Sequence, residues 1–255
     1  DSGLFKVTST NNVIPLWTEG RVDQIVRVSL PEFIGNNIAG TKDAWFFRTQ
    51  KGLFYSEDLK NFIEKDNGLA FLTVKKYDGK TATLVQQIQE LKDLCVNPLN
   101  NMEMVTATKD AVYYSDNGGD SWISLGSTSQ KTPGVKAVAV ATMDGESVVF
   151  MTHPILGLSY IYPHKKNAMW NDVEEGFVMM QSLTSPDEIA DILPVVRTNE
   201  DGSKFTELYL SQSYMPCIYK FDWENKKGVL LYKGTEPVDS FDGLTTINDV
   251  LVYTH

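Results

Sequence analysis

The chain has 255 residues, 42% apolar and 11% aromatic, which is enough to bury the core of one large domain and excludes intrinsic disorder. Its 33 acidic residues outnumber 23 basic ones, giving a net charge of −10. With no Lys/Arg stripe to offset that charge, nucleic acid is excluded as a partner. No apolar run reaches the ~18–20 residues of a membrane span, so no membrane insertion is expected. The chain opens on Asp1 without a basic or apolar leader, which fits a mature exported chain or an excised piece of a longer one. An extracellular, periplasmic or cell-surface location is the expectation. Cys95 and Cys217 lie far apart and read as two buried thiols, with one disulfide as the alternative.

In chain order, five segments share one plan: an aromatic-rich strand, a polar turn, and often a Trp or Phe opening the next strand. They begin at Gly3–Val7, Gly52–Tyr55, Val112–Tyr114, Gly157–Tyr162 and Cys217–Phe221. The aromatics after the turns are Trp17, Phe62, Trp122 and Trp170. Preceding strand-like runs are Ala44–Phe47, Met104–Ala107, Val148–Met151 and Leu208–Leu210. The spacing is about 45–60 residues, which suits a repeat of four strands plus insertions. Two stretches break the pattern. Thr83–Leu94 places Leu84, Ile88, Leu91 and Leu94 at helical spacing, and Ser185–Leu193 opens with a capping Ser and Pro186; each predicts a short helix. The N-terminal segment reads as the last two strands of a unit and Gly243–Thr254 as the first two. Joined in one sheet, they would close a ring.

The sharpest motif is Ser115–Asp116–Asn117–Gly118–Gly119–Asp120–Ser121–Trp122, a tight polar turn between two strands. It resembles the Asp-box, or BNR repeat, of β-propellers, with Asn117 where the family has Asp. Ser56, Asp58 and Phe62 form a more degenerate version of the same turn. The resemblance implies an all-β propeller of four-stranded blades over residues 1–255; the count of units, with the N- and C-terminal strands closing one of them, makes five blades, and a longer propeller cut short is the alternative. It also implies that Ser115, Asn117, Gly119 and Trp122 are structural and sit away from the ligand face.

Candidate chemistry is sparse. Sialidases, the enzymes best known for this motif, clamp a carboxylate with three arginines, whose planar forks suit the task. Here only Arg21, Arg27, Arg48 and Arg197 exist, and nothing after Arg197 supplies a late arginine. A propeller glycosidase needs two carboxyl groups flanking a bond, one with a raised pKa. With 33 acidic residues composition cannot discriminate that option. Two or three clustered carboxylates with a raised pKa at one mouth would favour it. His153, His164 and His255 lie in no nucleophile or metal motif and read as loop residues, so neither metal nor cofactor is expected. Trp17, Trp45, Trp122, Trp170 and Trp223 recur about once per unit and read first as interblade packing. The resulting expectation is a non-catalytic module, one domain of a larger exported protein, binding a glycan, a protein surface or a neighbouring domain. The alternative is a propeller glycoside hydrolase with carboxylates at the channel mouth.

Overall fold

The computed structural model describes residues 3–9, 12–127, 134–153, 157–173, 175–177, 189–212, 217–234, 243–247 and 250–254. Strands β1 (Leu4–Ser9) and β2 (Asn12–Trp17) form an antiparallel ribbon. The first four-stranded sheet follows, from β3 (Val22–Ile34), β4 (Asn37–Thr49), β5 (Gly52–Ser56) and β6 (Ile63–Glu64). A hairpin of β7 (Phe71–Asp78) and β8 (Thr81–Ile88) stands between it and the second sheet. That sheet comprises β9 (Leu91–Val96), β10 (Met104–Thr108), β11 (Ala111–Ser115) and β12 (Ile123–Ser127). The third holds β13 (Val138–Met143), β14 (Glu146–His153), β15 (Gly157–Ile161) and β16 (Asn171–Val173). The fourth holds β17 (Ile189–Thr198), β18 (Lys204–Gln212), β19 (Cys217–Asp222) and β20 (Lys227–Lys233). A last ribbon pairs β21 (Gly243–Ile247) with β22 (Val250–Thr254).

Every sheet is an antiparallel meander, and the first strands neighbour one another in chain order: β3 with β9, β9 with β13, β13 with β17, β17 with β21. There is accordingly no single core but a series of cores between successive sheets. Phe46 and Tyr55 of the first sheet meet Leu94, Met104 and Trp122 of the second. Val105 and Tyr114 meet Val138, Val140 and Val149. Ala139, Phe150 and Leu158 meet Ile192, Leu208 and Tyr219. Along β13 the alternation is plain: Ala139 and Ala141, with Ala137 just before the strand, face one neighbour and Val138 and Val140 the other, so both faces are buried and the strand reads as a continuous apolar run. Trp17 of β2 packs on Phe47 and Phe54, and Leu244 of β21 packs on Val195 and Tyr209.

Both expected helices require correction, and no helix occurs among the described residues. Within Thr83–Leu94, residues up to Ile88 belong to β8 and those from Leu91 to β9. A helix would have buried all four apolar positions on one stripe; instead Leu84 is 69% exposed while Ile88 is 5% exposed. Residue-by-residue pairing with β7, from Phe71↔Ile88 to Asp78↔Thr81, overrides the spacing, and β-branched Thr81, Thr83 and Val85 favour it. Asp78–Gly79 at the tip is the hairpin signal that identifies this element. Of Ser185–Leu193, residues 185–188 lie outside the described residues and Ile189–Leu193 open β17. His153 is not a loop residue but the buried end of β14. The strands at the two chain ends do not share a sheet among the described residues: each pair forms its own two-stranded ribbon. No described helix is long and apolar enough to cross a membrane.

Candidate functional site

The first strands converge on a cavity of about 250 Å³, lined by Gln24 and Val26 of β3, Asp93 and Cys95 of β9, Val138 of β13, Asp191 of β17 and Leu244 of β21. Three polar side chains there repeat one device. The Gln24 amide donates to Leu94 O (2.9 Å) and accepts from Leu94 N (3.0 Å), tying β3 to β9. Asp93 accepts from Leu94 N (2.7 Å) and, across the gap, from Val138 N (2.9 Å), tying β9 to β13. Asp191 accepts from Ile192 N (2.8 Å) and from Leu244 N (2.7 Å), tying β17 to β21. First strands that belong to separate sheets are thus bridged by side chains, which satisfies amides that burial would otherwise orphan.

Electrostatics at this mouth are strained. Burial raises the Asp93 carboxyl above its ordinary range, against the lowering effect of its backbone bonds. Burial likewise raises Asp191 to about 6, and the charge of Asp93 adds to it. Burial pushes the Cys95 thiol up to about 12, so it remains protonated and inert at neutral pH. Arg48 is the nearby cation; its guanidinium donates to Gln24 Oε1 (3.0 Å) and Leu91 O (2.7 Å). Neither aspartate was recognisable as a site residue from sequence, because each lay in a stretch with a helical reading. The usable signal is the phrase Asp–Leu or Asp–Ile at the start of a first strand, as in Asp93–Leu94 and Asp191–Ile192.

The Ser115–Trp122 turn lies elsewhere, on the opposite side of the second sheet from the start of β9. Its residues are brought together. Ser115 Oγ donates to Asn117 Oδ1 (2.8 Å) and accepts from Gly119 N (3.0 Å). Asn117 Oδ1 also accepts from Ser121 N (3.0 Å), and its amide donates to Ser121 Oγ (2.8 Å). Gly119 has φ +81°, and a Cβ there would stand 2.9 Å from the Phe46 ring. Trp122 is 4% exposed; its indole donates to Lys65 O (2.8 Å) and its backbone amide to Asn67 O (2.9 Å). That backbone approach excludes a side chain at Gly68, where a Cβ would lie 2.1 Å from Trp122 O.

Of Ser56, Asp58 and Phe62, the first two meet, with Ser56 Oγ 3.3 Å from Asp58 Oδ1. Asp58 Oδ1 accepts from the amides of Lys60 and Asn61 (2.8 Å each), while Ser56 Oγ caps Leu59 N (2.9 Å). The backbone bond from Asn61, then that from Lys60, holds the Asp58 carboxyl down at about 2. Phe62 stacks edge-on against Trp17 and Phe47. The turn expected after Cys217–Phe221 uses the same chemistry: Asp222 accepts from Asn225 N (3.1 Å) and Asn225 Nδ2 (2.8 Å), the same Asp-x-x-Asn spacing as Asp58 and Asn61.

Three aromatic residues after turns, and Trp223 within the Asp222–Asn225 turn, reach back to the preceding sheet. Phe62 meets Trp17, Trp122 meets Lys65, Trp170 donates to Leu125 O (3.2 Å), and Trp223 donates to Asp144 Oδ2 (2.8 Å). Trp45 packs against the cluster of Trp17, Phe47 and Phe54. None of these rings lines the cavity between the first strands. Among the described residues no group of three or more His, Cys, Asp or Glu side chains could hold a metal ion, and Cys95 and Cys217 are not joined. No protein-family model matches this sequence, and no curated protein matches it either.

Proposed function

We propose that the chain is an Asp-box β-propeller of five units and acts as a non-catalytic recognition module, presenting one face to a glycan or protein surface. Four units are the four-stranded sheets; the two end ribbons supply the fifth. Two regularities support that placement. Asp191 bridges to β21 as Asp93 bridges to β13, so the last ribbon follows the fourth sheet. Phe62 packs on Trp17 as each later turn aromatic packs on its preceding sheet, so the first ribbon precedes the first sheet.

One observation carries the non-catalytic reading: both carboxylate oxygens of Asp93 and of Asp191 are engaged by backbone amides of the fold itself. Each carboxylate is thereby committed to joining two strands, a structural task that fixes its orientation. The raised carboxyls beside one cavity favour a second reading, a glycoside-active enzyme working at that mouth. Incubation of pure protein with aryl glycosides and sialosides separates the two. The recognition module releases no product; turnover abolished by Asp191→Asn establishes the enzyme.

A further inference from the structure

Glu103, in the β9–β10 turn, is 8% exposed and lines a cavity of about 300 Å³ with Glu146, Ser147, Tyr162, His164 and Lys165, between the second and third sheets. Its carboxylate is met by neutral donors. Asn97 Nδ2 donates to Oε2 (2.8 Å), and Ser147 Oγ lies 2.7 Å from both oxygens although its single proton serves only one. Among the described residues no cation pairs with Glu103. A carboxylate this deeply buried is costly without one, and here it faces a cavity.

The mouth of that cavity shows which group it attracts. Lys165 places its ammonium 3.5 Å from the Tyr162 ring centroid and 2.9 Å from Glu146 Oε2, yet its side chain is 51% exposed and therefore displaceable. On the inner wall Tyr114 OH stands 3.0 Å from His164 Nε2. Burial, then the charge of Glu103, raises the Tyr114 phenol, so that wall adds no second anion.

We propose that the cavity receives an alkylammonium group: its charge meets Glu103, its methylenes lie along Tyr162, and Lys165 withdraws from the mouth. This rests on the recognition reading, and names the chemistry of its ligand. A free amine and a lysine side chain of a polypeptide share that chemistry, so both are tested.

Titration calorimetry with n-butylammonium and with acetyl-Gly-Lys-Gly-amide, against the norleucine analogue of the peptide, reads out binding to the full chain. Saturable binding of the lysine peptide but not the norleucine one is expected. A peptide affinity well above that of butylammonium identifies a polypeptide source, and equal affinities a free amine. Lys165→Met, on an exposed turn, should tighten binding severalfold by clearing the mouth. Glu103→Gln should weaken it by about tenfold or more. Because Glu103→Gln alters a buried network, Tyr162→Leu provides an independent loss of the ring face. No saturable binding of either cation to the Lys165→Met protein, or binding undiminished in both Glu103→Gln and Tyr162→Leu, overturns the proposal. Neither result bears on the hydrolysis assay, so the two readings fail separately.

Discussion

At the scale of single residues, the turn after β11 shows how a short polar phrase becomes a packing device. Ser115 and Asn117 use their side chains to satisfy the amides of Gly119 and Ser121, and this aims Trp122 into the core shared with the first sheet. Trp122→Ala should therefore cost about 3–5 kcal/mol and lower the melting temperature by several degrees, as read by calorimetry. Asn117→Asp should change it little, because a carboxylate keeps the acceptor for Ser121 N and the Ser121 hydroxyl can reverse to donate to the second oxygen. A melting temperature unmoved by Trp122→Ala would show that the ring is not packed as described.

At the scale of elements, the β7–β8 hairpin is the insertion that stands apart from the repeating sheets. Its strands pair only with each other, and Phe71, Leu72, Tyr77 and Leu84 are exposed. Ile88 alone enters the core, against Gly52 and the first two sheets. Excising Thr73–Gln86 and rejoining Leu72 to Gln87 through a two-residue Asn-Gly turn should shift the melting temperature by no more than about 3 °C. Ile88→Ala, at the root of the same hairpin, should cost about 2–4 kcal/mol in denaturant unfolding. A large loss from the excision would mean that the hairpin tip supports the sheets.

At the scale of the whole molecule, Asp93 and Asp191 tie first strands of successive sheets together at an electrostatic cost. The Asp191 carboxyl stands at about 6 in the fold against an ordinary 3.8. The folded chain therefore binds that proton more tightly than the unfolded chain does. Stability falls as pH rises from about 4 to about 6 and is recovered on acidification through the same window. At about 1.4 kcal/mol per pKa unit, ionised Asp191 costs the fold on the order of 3 kcal/mol at neutral pH. Chemical denaturation at pH 5 and pH 7 should show the wild type gaining stability at the lower pH, with Asp191→Asn flattening that dependence. An unchanged slope in the variant would place the titration elsewhere, with Asp93 the next candidate.

The strand-turn-strand units were legible in the sequence because they rest on local chemistry. Gly and Asn at turns, alternating aromatics in strands, and a Trp or Phe after the turn depend only on neighbours in the chain. Gly52–Tyr55, Val112–Tyr114 and Cys217–Phe221 accordingly fall on β5, β11 and β19. The motif turns were legible for the same reason, since Ser115 and Ser56 bond within a few residues of themselves. The segment Thr83–Leu94 was not, because its leucine spacing serves two strands as well as one helix, and only pairing with β7 and β10 decides between them. Asp93, Asp191 and Glu103 were likewise indistinguishable among 33 acidic residues. What sets them apart is burial beside strands 45, 53 and 44 positions away in the chain, at Val138, Leu244 and Ser147. Desolvation is a property of the assembled sheets, so only the tertiary structure could select those three carboxylates.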